Sequence, residues 1–193
     1  MISTKLKTVF VGNTSTGKTS IITRLLRNEF TTTDSTIGSS FFVLDNEDIR
    51  YEIWDTAGGE RFMALAPMYS RNSHIMIMVY DLDDLSTIDR LQYYFNMIEK
   101  FIRMPKIIVI GNKTDLVSEK YLDHIKTFNM RKIENMTKEP LEFIYTSAKT
   151  GNGIAEFRQL LMSYGDMLKY IINNNYDTIK LEPQESTDNE CKC

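Results

Sequence analysis

A glycine-rich segment follows the first apolar run of the sequence and ends in a lysine and a threonine. It reads Gly12-Asn13-Thr14-Ser15-Thr16-Gly17-Lys18-Thr19, which matches the spacing G-x-x-x-x-G-K-[ST]. Glycines at these positions let the backbone turn so that successive N–H groups face a phosphate chain at a helix N-terminus. Lys18 is expected to reach the terminal phosphates and the Thr19 hydroxyl to bind Mg²⁺. The spacing therefore predicts a nucleotide phosphate site in preference to an ordinary Gly-rich turn.

A second segment, Asp55-Thr56-Ala57-Gly58, follows the apolar run that ends at Trp54. An acidic residue at the carboxyl end of a strand, facing a phosphate loop, is the second part of many phosphate–Mg²⁺ sites. Alone, Asp55 would be interpreted as a helix cap or a turn residue. Together with the first segment, it is predicted to be the outer-shell carboxylate of the metal.

The third segment, Asn112-Lys113-Thr114-Asp115, has the residue types that recognise guanine. Guanine presents N1–H and N2–H₂ donors on one edge, and a carboxylate such as that of Asp115 accepts both. Asn112 is expected to bond the N7/O6 side and to tie this loop to the first one, while the stem of Lys113 lies over the ring. Alone, the pattern N-K-x-D would indicate only a turn.

The fourth segment, Thr146-Ser147-Ala148-Lys149, comes after another apolar run. The small Ala148 lets its N–H approach the guanine O6, with Lys149 against the base. The alternative is an ordinary strand-to-helix connection, with Thr150 or Asn152 as the helix N-cap.

The elements that position these segments alternate along the chain. Apolar runs rich in Val and Ile are typical of buried parallel strands, and longer amphipathic stretches between them are typical of helices. Strands are predicted at Leu6–Val11, Phe41–Leu44, Tyr51–Trp54, Ile75–Tyr80, Ile107–Ile110 and Phe143–Tyr145. Helices are predicted at Ser20–Arg27, at about Leu85–Phe101, from about Glu119, and from about Ile154 to Ile172. In such sheets ligands bind at the carboxyl ends of the strands, which is where the four segments lie.

Composition indicates one globular domain. The chain has 193 residues, 42% of them hydrophobic and 25% charged, and a net charge of −3 gives no electrostatic case for a nucleic-acid partner. Both cysteines, Cys191 and Cys193, lie at the C-terminus, which excludes a disulfide framework. Residues 1–173 are predicted to form the domain, and residues 174–193 a flexible acidic tail.

In the order of its motifs, the chain resembles the small GTPases of the Ras superfamily, specifically the Rab branch. The resemblance covers about residues 5–173 and adds Thr36, in Ser35-Thr36-Ile37-Gly38-Ser39-Ser40-Phe41, as a first-switch signature. The segment from Phe62 to Tyr69 is most similar to early-endosomal Rabs. The resemblance implies an α/β P-loop NTPase G domain with a six-stranded, mainly parallel sheet and about five helices.

It also implies roles for individual residues. GTP or GDP is expected to contact Gly12, Asn13, Thr14, Ser15, Thr16, Gly17, Lys18, Thr19, Ser20, Phe30, Thr36, Asp55, Gly58, Asn112, Lys113, Asp115, Ser147, Ala148 and Lys149. Mg²⁺ is expected at Thr19, Thr36 and Asp55. GTP hydrolysis is expected to involve Lys18, Thr36, Gly58 and Gly59.

The resemblance further implies partners and a location. Effectors would bind the switch regions of a monomer through Ile37, Phe41, Trp54, Phe62 and Tyr69, although Trp54 with its neighbours could equally be core. An exchange factor and a GTPase-activating protein are expected. Prenylation of Cys191 and Cys193 would attach the protein to the cytoplasmic face of membranes, endosomal ones above all, with a soluble pool in the cytosol.

Two departures from the family pattern affect hydrolysis. Relatives usually have Gln where this chain has Gly59, and that Gln orients the attacking water. Thr14 adds bulk near the γ-phosphate, where most relatives have Gly, Ser or Ala. Slow, activator-dependent hydrolysis is therefore predicted, with a GTP-locked binding module as the alternative. An unrelated P-loop kinase or ATPase would have no use for Asp115 or Thr36.

Overall fold

The sheet of this protein has six strands. The computed structural model describes residues 4–31 and 34–180, the last six as backbone. Its strands are Thr4–Val11 (β1), Ser39–Asn46 (β2), Ile49–Thr56 (β3), Ile75–Asp81 (β4), Lys106–Asn112 (β5) and Glu142–Tyr145 (β6). They lie in the order β2-β3-β1-β4-β5-β6. Only β2 pairs antiparallel, so the predicted six-stranded, mainly parallel sheet is confirmed.

Seven α-helices flank the strands within the described part of the chain, and a short 3₁₀ helix spans Thr114–Leu116. The α-helices are Lys18–Arg27 (α1), Glu60–Met63 (α2), Ala66–Ser70 (α3), Ser86–Asp89 (α4), Leu91–Ile98 (α5), Glu119–Glu134 (α6) and Ile154–Lys180 (α7). The helix predicted at about Leu85–Phe101 is interrupted at Arg90 and ends at Ile98. The last helix continues to Lys180, so the first residues of the predicted tail are helical.

Apolar side chains cover both faces of the sheet. On one face Phe10 and Tyr51 pack with Phe157 under α1 and α7. On the other face Tyr80 and Phe95 belong to a second cluster under α5 and α6. Among the helices that the structure describes, none combines the length and apolar character needed to cross a bilayer.

The direction of the strands places four loops side by side. Strands β1, β3, β4, β5 and β6 run parallel, so their carboxyl ends share one edge of the sheet. The loop between β1 and α1 carries the glycine-rich segment, and the segments after β3, β5 and β6 open on the same edge. The polar side chains of all four segments therefore meet there.

Helix α7 packs tightly on the sheet at Gly165. A Cβ at this position would overlap the hydroxyl of the fully buried Tyr51, which donates to the Leu161 carbonyl at 3.4 Å. We expect Gly165→Ala to lower the free energy of unfolding by about 2 kcal/mol, because overpacking outweighs the gain in helix propensity. Urea unfolding measures this, and Ser163→Ala, at an exposed site on α7, is the control. Equal urea midpoints for Gly165→Ala and the parent would contradict the tight packing.

Candidate functional site

A cavity of about 360 Å³ opens at the carboxyl edge of the sheet. Most of the residues predicted to contact nucleotide line it: Thr14, Ser15, Gly17, Lys18, Thr19, Ser20, Phe30, Thr36, Gly58, Asn112, Lys113, Asp115, Ala148 and Lys149. The other predicted residues, Gly12, Asn13, Thr16, Asp55, Gly59 and Ser147, are absent from its lining. Four residues that were not predicted to contact the nucleotide also line the cavity: Thr31, Asp34, Leu116 and Ser35, the last of which belongs to the first-switch signature. Their only signal is adjacency to Phe30, Thr36 and Asp115.

The glycine-rich loop surrounds the ammonium group of Lys18. Gly17 takes a left-handed conformation (φ 90°), which the loop needs in order to enter α1. The Lys18 Nζ donates to the carbonyl oxygens of Gly12 at 3.0 Å and Asn13 at 2.8 Å. The loop backbone thus holds the cation at the floor of the cavity.

Burial weakens the basicity of that cation. Lys18 is only 6% exposed, and desolvation lowers its pKa to about 8, with the charge of Asp55 opposing the shift. Anionic oxygens placed beside Lys18 would favour its charged form. The cavity floor is therefore suited to a phosphate group.

Two hydroxyl groups converge on the carboxylate of Asp55. Thr19 donates to Asp55 Oδ2 at 2.6 Å, and Thr36 donates to the same oxygen at 3.3 Å. The two hydroxyl oxygens are 3.1 Å apart. The three residues predicted to serve Mg²⁺ come from α1, the segment before β2, and the end of β3, and the structure brings them together.

This cluster has donors of the kind that Mg²⁺ requires. Asp55 is fully buried and its Oδ1 has no hydrogen-bond partner in the described structure. Burial raises the pKa of Asp55, while Thr19, Lys18 and Thr36 oppose that rise. Hydroxyl and carboxylate oxygens are hard ligands, and Mg²⁺ in proteins commonly takes one or two of them with water and phosphate oxygens. No group of three His, Cys, Asp or Glu side chains that could hold a metal occurs in the described ranges, so phosphate oxygens would have to complete the shell.

The segment after β3 lies directly on the glycine-rich loop. A Cβ at Gly58 would overlap the backbone of Asn13 and Thr14, so only glycine permits this approach. At Gly59 the backbone is extended (φ −70°, ψ 147°), and a Cβ would lie 3.6 Å from both Thr14 Oγ1 and Phe62 Cδ2. A side chain at Gly59 would therefore fit beside Thr14 at ordinary contact distance.

Asn112 links three of the four loops through its side-chain amide. Its Nδ2 donates to the Thr16 carbonyl at 2.9 Å, as predicted for a tie to the first loop. Its Oδ1 accepts from the Thr146 hydroxyl at 3.0 Å and from the Ala148 N–H at 3.2 Å. Asn112 is 2% exposed, so the amide joins the loops from within the protein.

Residues of the fourth segment hold the carboxylate of Asp115 in place. Ser147 donates to Asp115 Oδ1 at 2.5 Å, and Thr150 N–H donates to the same serine oxygen at 3.1 Å. Lys149 Nζ lies 3.9 Å from Asp115 Oδ2. Ser147 thus orients Asp115, and its own contact with the nucleotide stays a prediction.

Lys113 is oriented by an ion pair. Its Nζ lies 2.6 Å from Oδ2 of Asp81, at the end of β4, and its backbone is left-handed (φ 68°). The side chain lines the cavity while its charge is paired. Its apolar stem can therefore present a surface to a ring in the cavity.

Three aromatic side chains form a patch beside the cavity. The rings of Phe41 and Trp54 are 5.3 Å apart and those of Trp54 and Tyr69 are 6.2 Å apart. Phe41 is 51% exposed and Ile37 is 80% exposed, whereas Trp54 and Tyr69 are half-buried. The patch is therefore partly accessible. Cys191 and Cys193, predicted to carry lipid, lie outside the described residues.

Comparisons with known proteins agree with this geometry. The model of the Ras family matches residues 7–164. A ras-related protein, Rab-5B of Dictyostelium discoideum, is 38% identical over 169 residues, which cover 82% of this chain and 76% of that protein. Members of the Ras family bind GTP and GDP, typically with Mg²⁺, and hydrolyse GTP. Since both matches span most of the chain, the protein belongs to the Ras family as a small GTPase of the Rab branch, early-endosomal type.

Proposed function

We propose that this GTPase is a slowly hydrolysing switch that regulates vesicle traffic at endosomal membranes. With GTP bound, the Thr36 hydroxyl and the Gly58 N–H hold the two switch loops on the γ-phosphate, and hydrolysis releases them. The position of Thr36 beside Asp55, and of Gly58 against the glycine-rich loop, supports this assignment. The similarity to Rab-5B supports the endosomal role.

In this proposal the phosphates and Mg²⁺ occupy the glycine-rich end of the cavity. Lys18 contacts the β- and γ-phosphates, Thr19 and Thr36 ligate the metal, and Asp55 lies in its outer shell. When bound, Mg²⁺ neutralises charge on the phosphate oxygens. Guanine occupies the other end, where Asp115 accepts from its N1–H and N2–H₂ and Lys113 and Lys149 flank the ring. The lining of the cavity by these residues supports the assignment.

We assign effector binding to the aromatic patch of Phe41, Trp54 and Tyr69, together with Ile37 and Phe62. The exposed area of Phe41 and Ile37 supports the assignment, because exposed aromatic and aliphatic groups beside a switch suit a protein interface. We also propose that Cys191 and Cys193 are prenylated and anchor the protein to membranes.

The observation that carries slow hydrolysis is the geometry at Gly59. This residue lies next to Gly58 and close to Thr14, where a side-chain amide would orient the attacking water. Glycine supplies no such group. Positioning is most of what a GTPase contributes to this reaction, so the intrinsic rate should be low.

Restoring the amide tests this account. We expect Gly59→Gln to raise the single-turnover rate of GTP hydrolysis about tenfold, or roughly 1.4 kcal/mol in the barrier. The extended backbone and the 3.6 Å contact distances of a Cβ at Gly59 support the addition of a side chain there. The measurement is phosphate release from GTP-loaded protein in excess Mg²⁺.

Gly59→Ala is the matched control, because it adds the Cβ without the amide and should not reproduce the gain. A parent rate equal to that of Gly59→Gln would contradict the water-positioning account. The parent should still respond to an activating protein that supplies both an Arg and a Gln, and should not respond to one that supplies only an Arg. No turnover with either activator would favour the GTP-locked module instead.

A further inference from the structure

An arginine that belongs to none of the nucleotide motifs forms hydrogen bonds with the fourth loop, at the base end of the site. Arg24, in α1, is half-buried and does not line the cavity. Its Nε donates to the Ala148 carbonyl at 2.8 Å and its Nη2 to the Lys149 carbonyl at 2.8 Å. Its Nη1 donates to the Asn28 carbonyl at 2.7 Å. One guanidinium thus binds three backbone oxygens.

These oxygens belong to two segments on which the base end depends. Ala148 and Lys149 form the part of the fourth loop that lines the cavity. Asn28 ends α1 in a left-handed conformation (φ 57°), two residues before Phe30, which also lines the cavity. Arg24 therefore connects both walls of the base end to α1, whose first turn carries Lys18 and Thr19.

The geometry of the contacts requires an arginine. Nε and Nη2 lie on one edge of the planar group and reach consecutive carbonyls, while Nη1 points to a third. A lysine ammonium on a flexible stem would not reproduce this fork. In the described part of the chain no carboxylate forms an ion pair with Arg24. A further hydrogen bond goes from its Nη1 to the side-chain Oδ1 of Asn28 at 3.4 Å.

We infer that Arg24 is a positioning residue that sets how long a guanine nucleotide stays bound. It holds the fourth loop and the start of the first switch in the geometry that encloses the base. This inference rests on the proposed placement of guanine between Asp115 and Lys149. Without the hydrogen bonds of Arg24, the fourth loop and the segment before Phe30 are held less firmly, so the nucleotide dissociates faster. The phosphate end of the site, where hydrolysis takes place, is unchanged.

The test compares nucleotide release with hydrolysis in Arg24→Lys and Arg24→Gln. We expect dissociation of fluorescently labelled GDP to become about tenfold faster in both variants, because charge-assisted hydrogen bonds to the loop are lost. Single-turnover hydrolysis of preloaded GTP should stay within twofold of the parent. The increase in the release rate should persist in excess EDTA, which removes Mg²⁺. The loss of Mg²⁺ acts at the phosphate end and the Arg24 substitution at the base end, so the two effects are independent.

Arg158→Lys is the matched control. Arg158 is exposed on α7 and donates to the Leu25 carbonyl of α1 at 3.3 Å, and among the described residues no hydrogen bond joins it to the base loops. Its release rate should equal that of the parent. Release from Arg24→Lys at the parent rate would overturn the inference, and so would hydrolysis that changes in step with release. A parent protein that binds no guanine nucleotide would refute the proposed function, and with it this inference.

Discussion

Asp115→Asn is expected to exchange guanine for xanthine as the preferred base. The hydroxyl of Ser147 donates to Asp115 Oδ1, because a carboxylate oxygen accepts, and the hydroxyl oxygen itself accepts from Thr150 N–H. In the variant, the same hydroxyl would hold the amide oxygen and leave the amide NH₂ directed at the base. That donor suits the extra carbonyl of xanthine and cannot accept from guanine. The affinity for GDP should fall on the order of a hundredfold or more, as expected when buried polar groups lose their match.

Competition binding with GDP, xanthosine diphosphate and ADP measures this change. Asp123→Asn is the control, since it removes the same charge from a side chain that is 94% exposed on α6. It should leave base preference unchanged. An Asp115→Asn variant that still prefers GDP to xanthosine diphosphate, or a parent that prefers ADP, would contradict base recognition by Asp115.

Loss of either terminal cysteine is expected to move the protein from membranes to the soluble fraction. The last twenty residues contain five acidic residues and two lysines, so they cannot use the attraction of a polybasic segment for anionic lipids. One lipid chain alone gives only marginal and reversible binding. Stable attachment should therefore need lipid on both Cys191 and Cys193, and each single Cys→Ser variant should be largely soluble.

Fractionation of cells that express each variant tests the anchor. Ser186→Ala, a substitution in the same segment, is the control and should fractionate with the parent. Normal membrane binding by the double Cys→Ser variant would rule out the proposed lipid attachment. Full membrane binding by either single variant would rule out the need for two lipids.

Short sequence motifs were enough to predict most of the polar residues that meet at the carboxyl edge of the sheet. The spacing of Gly17 and Lys18 dictates a turn into a helix, and the structure has that turn. Thr19 and Asp55 were expected to lie together because both belong to segments at the carboxyl ends of strands in one parallel sheet. The Thr19 Oγ1 and the Asp55 Oδ2 are 2.6 Å apart. These features depend on residues close in sequence or on strand direction alone.

Features that depend on long-range contacts were not predictable. Arg24 looks like an ordinary exposed residue of an amphipathic helix, since the carbonyls of Ala148 and Lys149 are more than a hundred residues away. The sequence also does not show that the hydroxyl of Ser147 meets Asp115, because the two residues are 32 positions apart. The last helix was predicted to end at about Ile172, because the asparagines that follow are weak helix formers. It continues to Lys180, because extending an existing helix costs little.

The amide of Asn112 has a consequence for how the proposed switch divides its binding energy. By joining the first, third and fourth loops, it makes them one preorganised body. In the proposed complex, the contacts that this body makes with the base would be the same for GDP and GTP. A ligand contact that is equal in two states shifts no population, however strong it is. In the proposed switch the base end therefore determines occupancy, and the free energy that separates the two conformations has to come from contacts with the γ-phosphate, those of Lys18, Thr36 and Gly58.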